Sequence, residues 1–195
     1  DHSDLKVQKL KKYNFEILLH ESELFIEWYL EKHLKLNLNN SEKKEFQNIL
    51  EKHFNSLTLK QNNLVLRDFH VDNLIYLNDR DGIYQLGLID YQDALIGSSA
   101  YDFVSLIEDV RHPIKDDLKN SLVEMYSKLI SVDQNELKKG ISFYSIQRNL
   151  KIVGIFSRLK YRDDKNNYFP MIEVAMGFIK NHLKDNEYKD LNNWM

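Results

Sequence analysis

Apolar positions recur at helical spacing over most of the chain, and one central stretch breaks that rhythm. In "LLHESELFIEWYLEKHL", Leu18 to Leu34, the residues Leu18, Leu24, Phe25, Trp28 and Tyr29 fall near one face and predict a helix. A second helix is expected from Ser41, which can cap it, with Glu42 placing negative charge in the first turn. Lys44 stands where a capping box would need an acid, so none is expected there. This helix carries Phe46, Ile49, Leu50 and Phe54. The period then shortens. Leu64–Leu66 and Leu74–Leu77 read as short strands, Asn78–Gly82 as a turn, and Ile83–Asp90 as a further strand.

Helical spacing returns at Ser99–Asp102, "SAYD", a capping-box pattern. Helices follow over Lys115–Ile130, Gln134–Tyr161 (with room for one break) and Pro170–Leu183, where Pro170 suits a first turn. Helices, a small hairpin region and more helices make an α+β protein in which helix dominates. Residues 1–195 contain no linker or repeat, so one unit is expected.

Composition narrows the possible roles. A hydrophobic content of 43% supports a real core, and a net charge of −3 with mixed signs offers no nucleic-acid footprint. No cysteine is present, which excludes disulfides and thiolate metal sites and permits a reducing compartment. No apolar run reaches the about 20 residues of a membrane span. The start, "DHSDLKVQKLKKYN", has no apolar core of a signal peptide. A cytoplasmic location without membrane contact is therefore expected.

The chemistry gathers in "VLRDFHVDNLIYL", Val65 to Leu77, where titratable groups crowd between two apolar runs. Asp68 follows the first strand and Asn73 begins the next. Asp90 ends the strand beyond the turn. If those two strands pair around Asn78–Gly82, Asn73 and Asp90 meet, and Asp68 reaches the same place through a short loop. Two carboxylates and an amide oxygen make a hard-oxygen set suited to Mg²⁺ on phosphate oxygens. A carboxylate left off the metal can take a hydroxyl proton.

"LRDFHVDN" resembles the protein-kinase catalytic loop, and more closely the Asp-x-His-x-x-Asn form of aminoglycoside phosphotransferase-like kinases. "LIDYQDALIGSSAYD" resembles that family's metal-binding strand end and the helix after it. The resemblance implies a kinase-like C-terminal lobe that uses ATP and Mg²⁺ on a hydroxyl of a small molecule. It implies Asp68 as base, Asn73 and Asp90 as Mg²⁺ and nucleotide ligands, and Asp102 as a buried anchor of the loop. His70 stands where many protein kinases carry a Lys near the transferred phosphate. Leu66 departs from the usual His. Within the family, the stretch from Arg67 to Arg111 and the helix "ELFIEWYLEKH" are most similar to bacterial amino-sugar kinases acting at the anomeric hydroxyl of N-acetylmuramate and N-acetylglucosamine.

The resemblance covers the C-terminal lobe alone. None of the 6 glycines is spaced for the Gly-rich loop that covers ATP phosphates, so a missing N-terminal lobe is the expected partner and the isolated chain is expected to be inactive. The alternatives are a non-catalytic binding or regulatory module, or a kinase acting on an aminoglycoside or small alcohol.

Other residues admit plainer readings. Asp93 is equally a solvated loop carboxylate or a substrate contact. Arg111 can pair a substrate carboxylate, but a solvated cluster with Glu108 and Asp109 is the simpler expectation. Trp28 can stack on a sugar or pack in the core with Tyr29, Phe143, Tyr144 and Phe156. Glu21, Glu23 and Glu27 read as a wet helix face. The histidines other than His70 lack ligand spacing, so no zinc site is expected.

Overall fold

A computed structural model describes residues 10–195. Residues 1–9, which hold His2 and most of the stretch read for a signal segment, lie outside the described residues. Helix α1 spans Phe15–Leu24 and runs on as a π-helical stretch, Phe25–His33. Helix α2 is Asn40–Asn55. Four short strands follow: β1 Asn63–Val65, β2 Leu74–Tyr76, β3 Leu86–Leu88 and β4 Leu95–Gly97. Five helices complete the chain: α3 Ser99–Ile107, α4 Asp116–Leu129, α5 Gln134–Asp163, α6 Met171–His182 and α7 Lys189–Trp194. The α+β reading with helix dominant is borne out.

Local details differ from expectation, each for a physical reason. Asn39, not Ser41, caps α2. Its side chain accepts from the amides of Ser41 and Glu42, while the Glu42 carboxylate takes the Asn39 amide at 2.7 Å, a complete capping box two residues ahead of Ser41. Ser98, not Ser99, caps α3. Extended backbone covers only the end of Ile83–Asp90, because Gly82–Gln85 winds into a 3₁₀ turn and leaves β3 three residues long. Strand β4 was not anticipated. It pairs antiparallel with β1, Leu64 opposite Ile96, and its apolar triplet is too short to show a period.

Helix α5 is the axis of the core. It runs 30 residues without a break, is buried from Leu137 to Ser157 at most positions, and packs against α1, the π-helical stretch, α3, α4 and α6. Its polar residues are buried along with its apolar ones, so it lacks the single stripe of a surface helix. Gly154 lies directly on the backbone of Leu24, where α1 becomes π-helical. A Cβ there would stand 2.4 Å from the Leu24 carbonyl carbon. Phe25, Phe46, Tyr101, Phe143, Tyr144 and Leu150 are among the largest side chains buried completely in the core.

Glu108, expected in a solvated cluster, is fully buried at the end of α3, and Asp109 beside it is buried too. The Glu108 carboxylate takes a hydrogen bond from Ser145 of α5, pairs with Lys119 of α4, and meets His182 of α6 at 3.0 Å. One carboxylate thus ties four helices. Burial would raise its pKa, but His182 and Lys119 outweigh burial and pull it down to about 2.

Two predictions follow from this packing. Gly154→Ala should destabilise the chain by about 2 kcal/mol or more despite the better helix propensity of Ala. Gly177→Ala, in open space on α6, should stabilise by roughly 0.5–1 kcal/mol. Urea unfolding of both variants checks the pair, and equal effects would contradict the close crossing. For Glu108 the folded pKa lies below the ordinary 4.5, so its stabilisation is present above that pH and is lost as pH falls toward about 2. Glu108→Gln should cost roughly 3 kcal/mol at pH 7, and unfolding curves should show the gap to wild type narrowing below about pH 4.5.

Candidate active site

The loop between β1 and β2 begins with a backbone problem. Leaving β1, the chain turns at Arg67, whose φ of 71° lies in the left-handed region that a long side chain rarely adopts. The amides of Leu66 and Arg67 then point away from any strand. Asp102, in the first turn of α3, accepts both: Leu66 N–H, and Arg67 N–H at 3.0 Å. Burial outweighs these two bonds and leaves the Asp102 carboxyl above the ordinary aspartate range. The pattern Ser99-x-x-Asp102 suggested a cap, yet the carboxylate crosses to the loop instead.

Arg67 is held from its other end. Its guanidinium pairs with Glu21, which also accepts from the Tyr13 hydroxyl and from Lys151 at 3.1 Å. Glu21 was expected on a wet face and is instead buried. Burial would raise its carboxyl, but Lys151, the Tyr13 hydrogen bond and Arg67 together hold it below the usual range. A helical period marks which side of α1 faces the core but cannot say that two cations wait there.

Beyond Arg67 the loop closes on itself. His70 N–H and the Asn73 side-chain amide both donate to the Asp68 carbonyl, at 3.1 and 2.8 Å. Asp68 is exposed, and its carboxylate makes no hydrogen bond among the described residues. The hairpin register pairs Leu74 with Leu88, and Ile89 N–H donates to the Asn73 carbonyl at 3.1 Å. Asn73 therefore begins one strand where Asp90 leaves the other. Asp90 also adopts positive φ, 60°, and its Oδ1 accepts from Gln92 at 2.6 Å.

His70 is half-buried. Burial first, then Arg111, lowers its pKa, and the pull of Asp109 and of half-exposed Asp72, 3.9 Å away, does not reverse this. The balance favours the neutral ring. Asp72 is a tether that the sequence did not single out: it meets Arg111 at 3.4 Å and His112 at 3.2 Å, binding the loop to the segment after α3. Arg111 is also paired with Asp109 at 3.7 Å.

On the α5 side of the loop lies a cavity of about 140 Å³, lined by Asp68 and His70, by the cations Arg67, Arg111, Arg148 and Lys151, and by an apolar wall that includes Ile152 and Phe156. Arg148 and Lys151 were not anticipated. The available signal was charged residues inside the otherwise apolar run "YSIQRNLKIVGIF". Trp28 is half-buried on the π-helical stretch and Asp93 is exposed beyond Asp90; neither lines this cavity.

Among the described residues no three His, Asp or Glu side chains form a ready-made metal cluster, and no helix is long and apolar enough to cross a membrane. Asn73 Oδ1 and Asp90 Oδ2 take no hydrogen bond there, so two hard oxygen donors remain free at the hairpin mouth. That donor set fits a Mg²⁺ held mainly by phosphate and water. Beside it, Ile75, Leu88 and Ile89 are exposed although apolar.

Residues 7–136 match the sequence profile described as the phosphotransferase enzyme family. The chain is 32% identical to an N-acetylmuramate/N-acetylglucosamine kinase of Neisseria meningitidis serogroup B, over 88% of this chain and 52% of that protein. It is 29% identical to a protein of that name from Caulobacter vibrioides, over 66% of this chain and 36% of the relative. With a third, from Pseudomonas putida, identity is 28% over 87% and 51% respectively. The chain thus spans about half the length of these relatives or less.

The clamp gives a direct test. Asp102→Ala should leave the amides of Leu66 and Arg67 unpaired, cost about 2 kcal/mol or more, and speed their hydrogen exchange by at least about tenfold. Asp102→Asn, which keeps one acceptor, should fall between. Exchange at these two amides that matches wild type would show that the carboxylate does not hold the loop.

Proposed function

The chain belongs to the phosphotransferase enzyme family, and on that premise we propose that it forms the acceptor- and metal-binding lobe of an ATP- and Mg²⁺-dependent small-molecule kinase. The observation that carries this reading is the meeting of Asp68, Asn73 and Asp90 on one clamped loop and hairpin. The acceptor is an amino sugar, as the names of the similar kinases suggest.

When bound, ATP with Mg²⁺ supplies the phosphoryl group and much of the charge that neutralises it in transfer. Asn73 Oδ1 and Asp90 Oδ2 would hold the metal. Asp68, free and exposed, orients the acceptor hydroxyl and takes its proton. His70, whose protonation burial disfavours, meets the reacting groups as a hydrogen-bond partner. The bonds from Asn73 and His70 to the Asp68 carbonyl fix the base relative to the metal ligand, so positioning does most of the catalytic work. Ile75 and Ile89, exposed on one face of the hairpin, fit the flat surface of a nucleotide base and the remaining lobe that would close over it.

In the full-length protein, Asp68→Asn should lower kcat by about 10²–10⁴ with little change in acceptor KM. Asp90→Ala should lower it at least as far and raise the Mg²⁺ requirement. A coupled ADP-release assay over an amino-sugar panel checks both, and near wild-type transfer by either variant would overturn the assignment.

A further inference from the structure

Four cations line the cavity beside Asp68, and they are not equivalent. Arg67 and Lys151 share the Glu21 carboxylate. Arg111 is paired with Asp72 and Asp109. Arg148 is only 5% exposed, yet it makes no hydrogen bond or ion pair among the described residues, and its Nη1 is buried without a partner. Burying a guanidinium without a hydrogen-bond partner costs several kcal/mol, and the nearby Asp102 carboxylate, taken up by the loop amides, forms no ion pair with it. Such a group is preorganised for an anion that arrives from outside.

The location says which anion. The cavity is bounded by Asp68 and His70, but Asn73 and Asp90 do not line it. It therefore opens on the α5 side of the base, away from the donors that would carry nucleotide phosphates. Its other wall, Ile152, Ile155 and Phe156, is apolar and suits the carbon skeleton of an acceptor. Arg148 sits at the junction, close enough to lower the pKa of both Asp102 and His70.

We propose that Arg148, seconded by Arg111, binds a carboxylate carried by the acceptor, so that this lobe selects hydroxyl substrates bearing an acidic group close to the reacting sugar ring. The planar fork of Arg148 can take both carboxylate oxygens while the acceptor hydroxyl faces Asp68. Binding thereby neutralises a charge that the empty fold leaves unpaired, and a neutral acceptor gains no such reward. This selection rests on the phosphotransferase reading above.

The test uses full-length protein and acceptor pairs that differ by a carboxylate-bearing group: N-acetylmuramate against N-acetylglucosamine, and glucuronate against glucose. Arg148→Met should cut the acid-to-neutral ratio of kcat/KM at least about tenfold, through the KM of the acid-bearing acceptor and without a change in KM for ATP. Arg148→Lys, which keeps charge but loses the fork, should cut it about threefold or more and serves where Arg148→Met does not fold. A ratio that stays within about twofold of wild type overturns the proposal, as does an equal loss for both members of each pair. Lactate against lactamide is the separate binding probe, read as a rise in unfolding temperature of wild type that Arg148→Lys diminishes. If wild type phosphorylates no acceptor, the kinase reading fails, and the lactate arm alone decides whether Arg148 is an anion site.

Discussion

The backbone at Leu66 and Arg67 leaves β1 in a conformation that no ladder of strand or helix can satisfy, and Asp102 supplies the missing acceptors from the next helix. Because α3 is packed on α5, that pair of hydrogen bonds refers the loop to the centre of the core. Arg67 adds a second point of reference through Glu21 and Lys151, and Asp72 a third through Arg111 and His112. A loop of exposed polar residues is thus held from three sides. Without that, the positive φ at Arg67 would relax, and Asp68 would have no fixed relation to Asn73.

Charge is handled in two ways in this molecule. Glu108 and Glu21 are buried carboxylates with two basic side chains each, and their pKa values are pulled down accordingly. These are structural knots, costly to form and costlier to break halfway. Asp68 and Asp90 are exposed and only lightly engaged, which suits the roles toward metal and substrate proposed for them. Arg148 belongs to neither kind: it is buried like the first and unengaged like the second.

Much of this was legible in the sequence. The order of helices and the hairpin followed from apolar spacing, and the set Asp68, Asn73 and Asp90 followed from strand ends that a hairpin must bring together. What escaped was whatever depends on side chains meeting across the core. Glu21 looks like any helix-face acid until Arg67 and Lys151 are seen to converge on it. Asp102 fits a cap by its spacing, and only the loop's stray amides show where it is needed. Strand β4 was hidden because three residues carry no period. The capping box on α2 is formed by Asn39 and Glu42, two residues ahead of the box that Ser41 would need.

Helix α5 carries Arg148, Lys151, Ile152 and Ile155 along one face, at the three- and four-residue steps that bring helix positions into line. The same rod holds Ser145 against Glu108 and Gly154 against the backbone of Leu24. The cavity wall is therefore not a loop that can be lengthened or reshaped in the course of descent. Its backbone is locked by the core, and only its side chains are free to vary. On the proposed acceptor site, relatives that change acceptor while keeping this rod would do so by exchanging single residues at these positions, so substrate range would be written in a handful of sites on one helix.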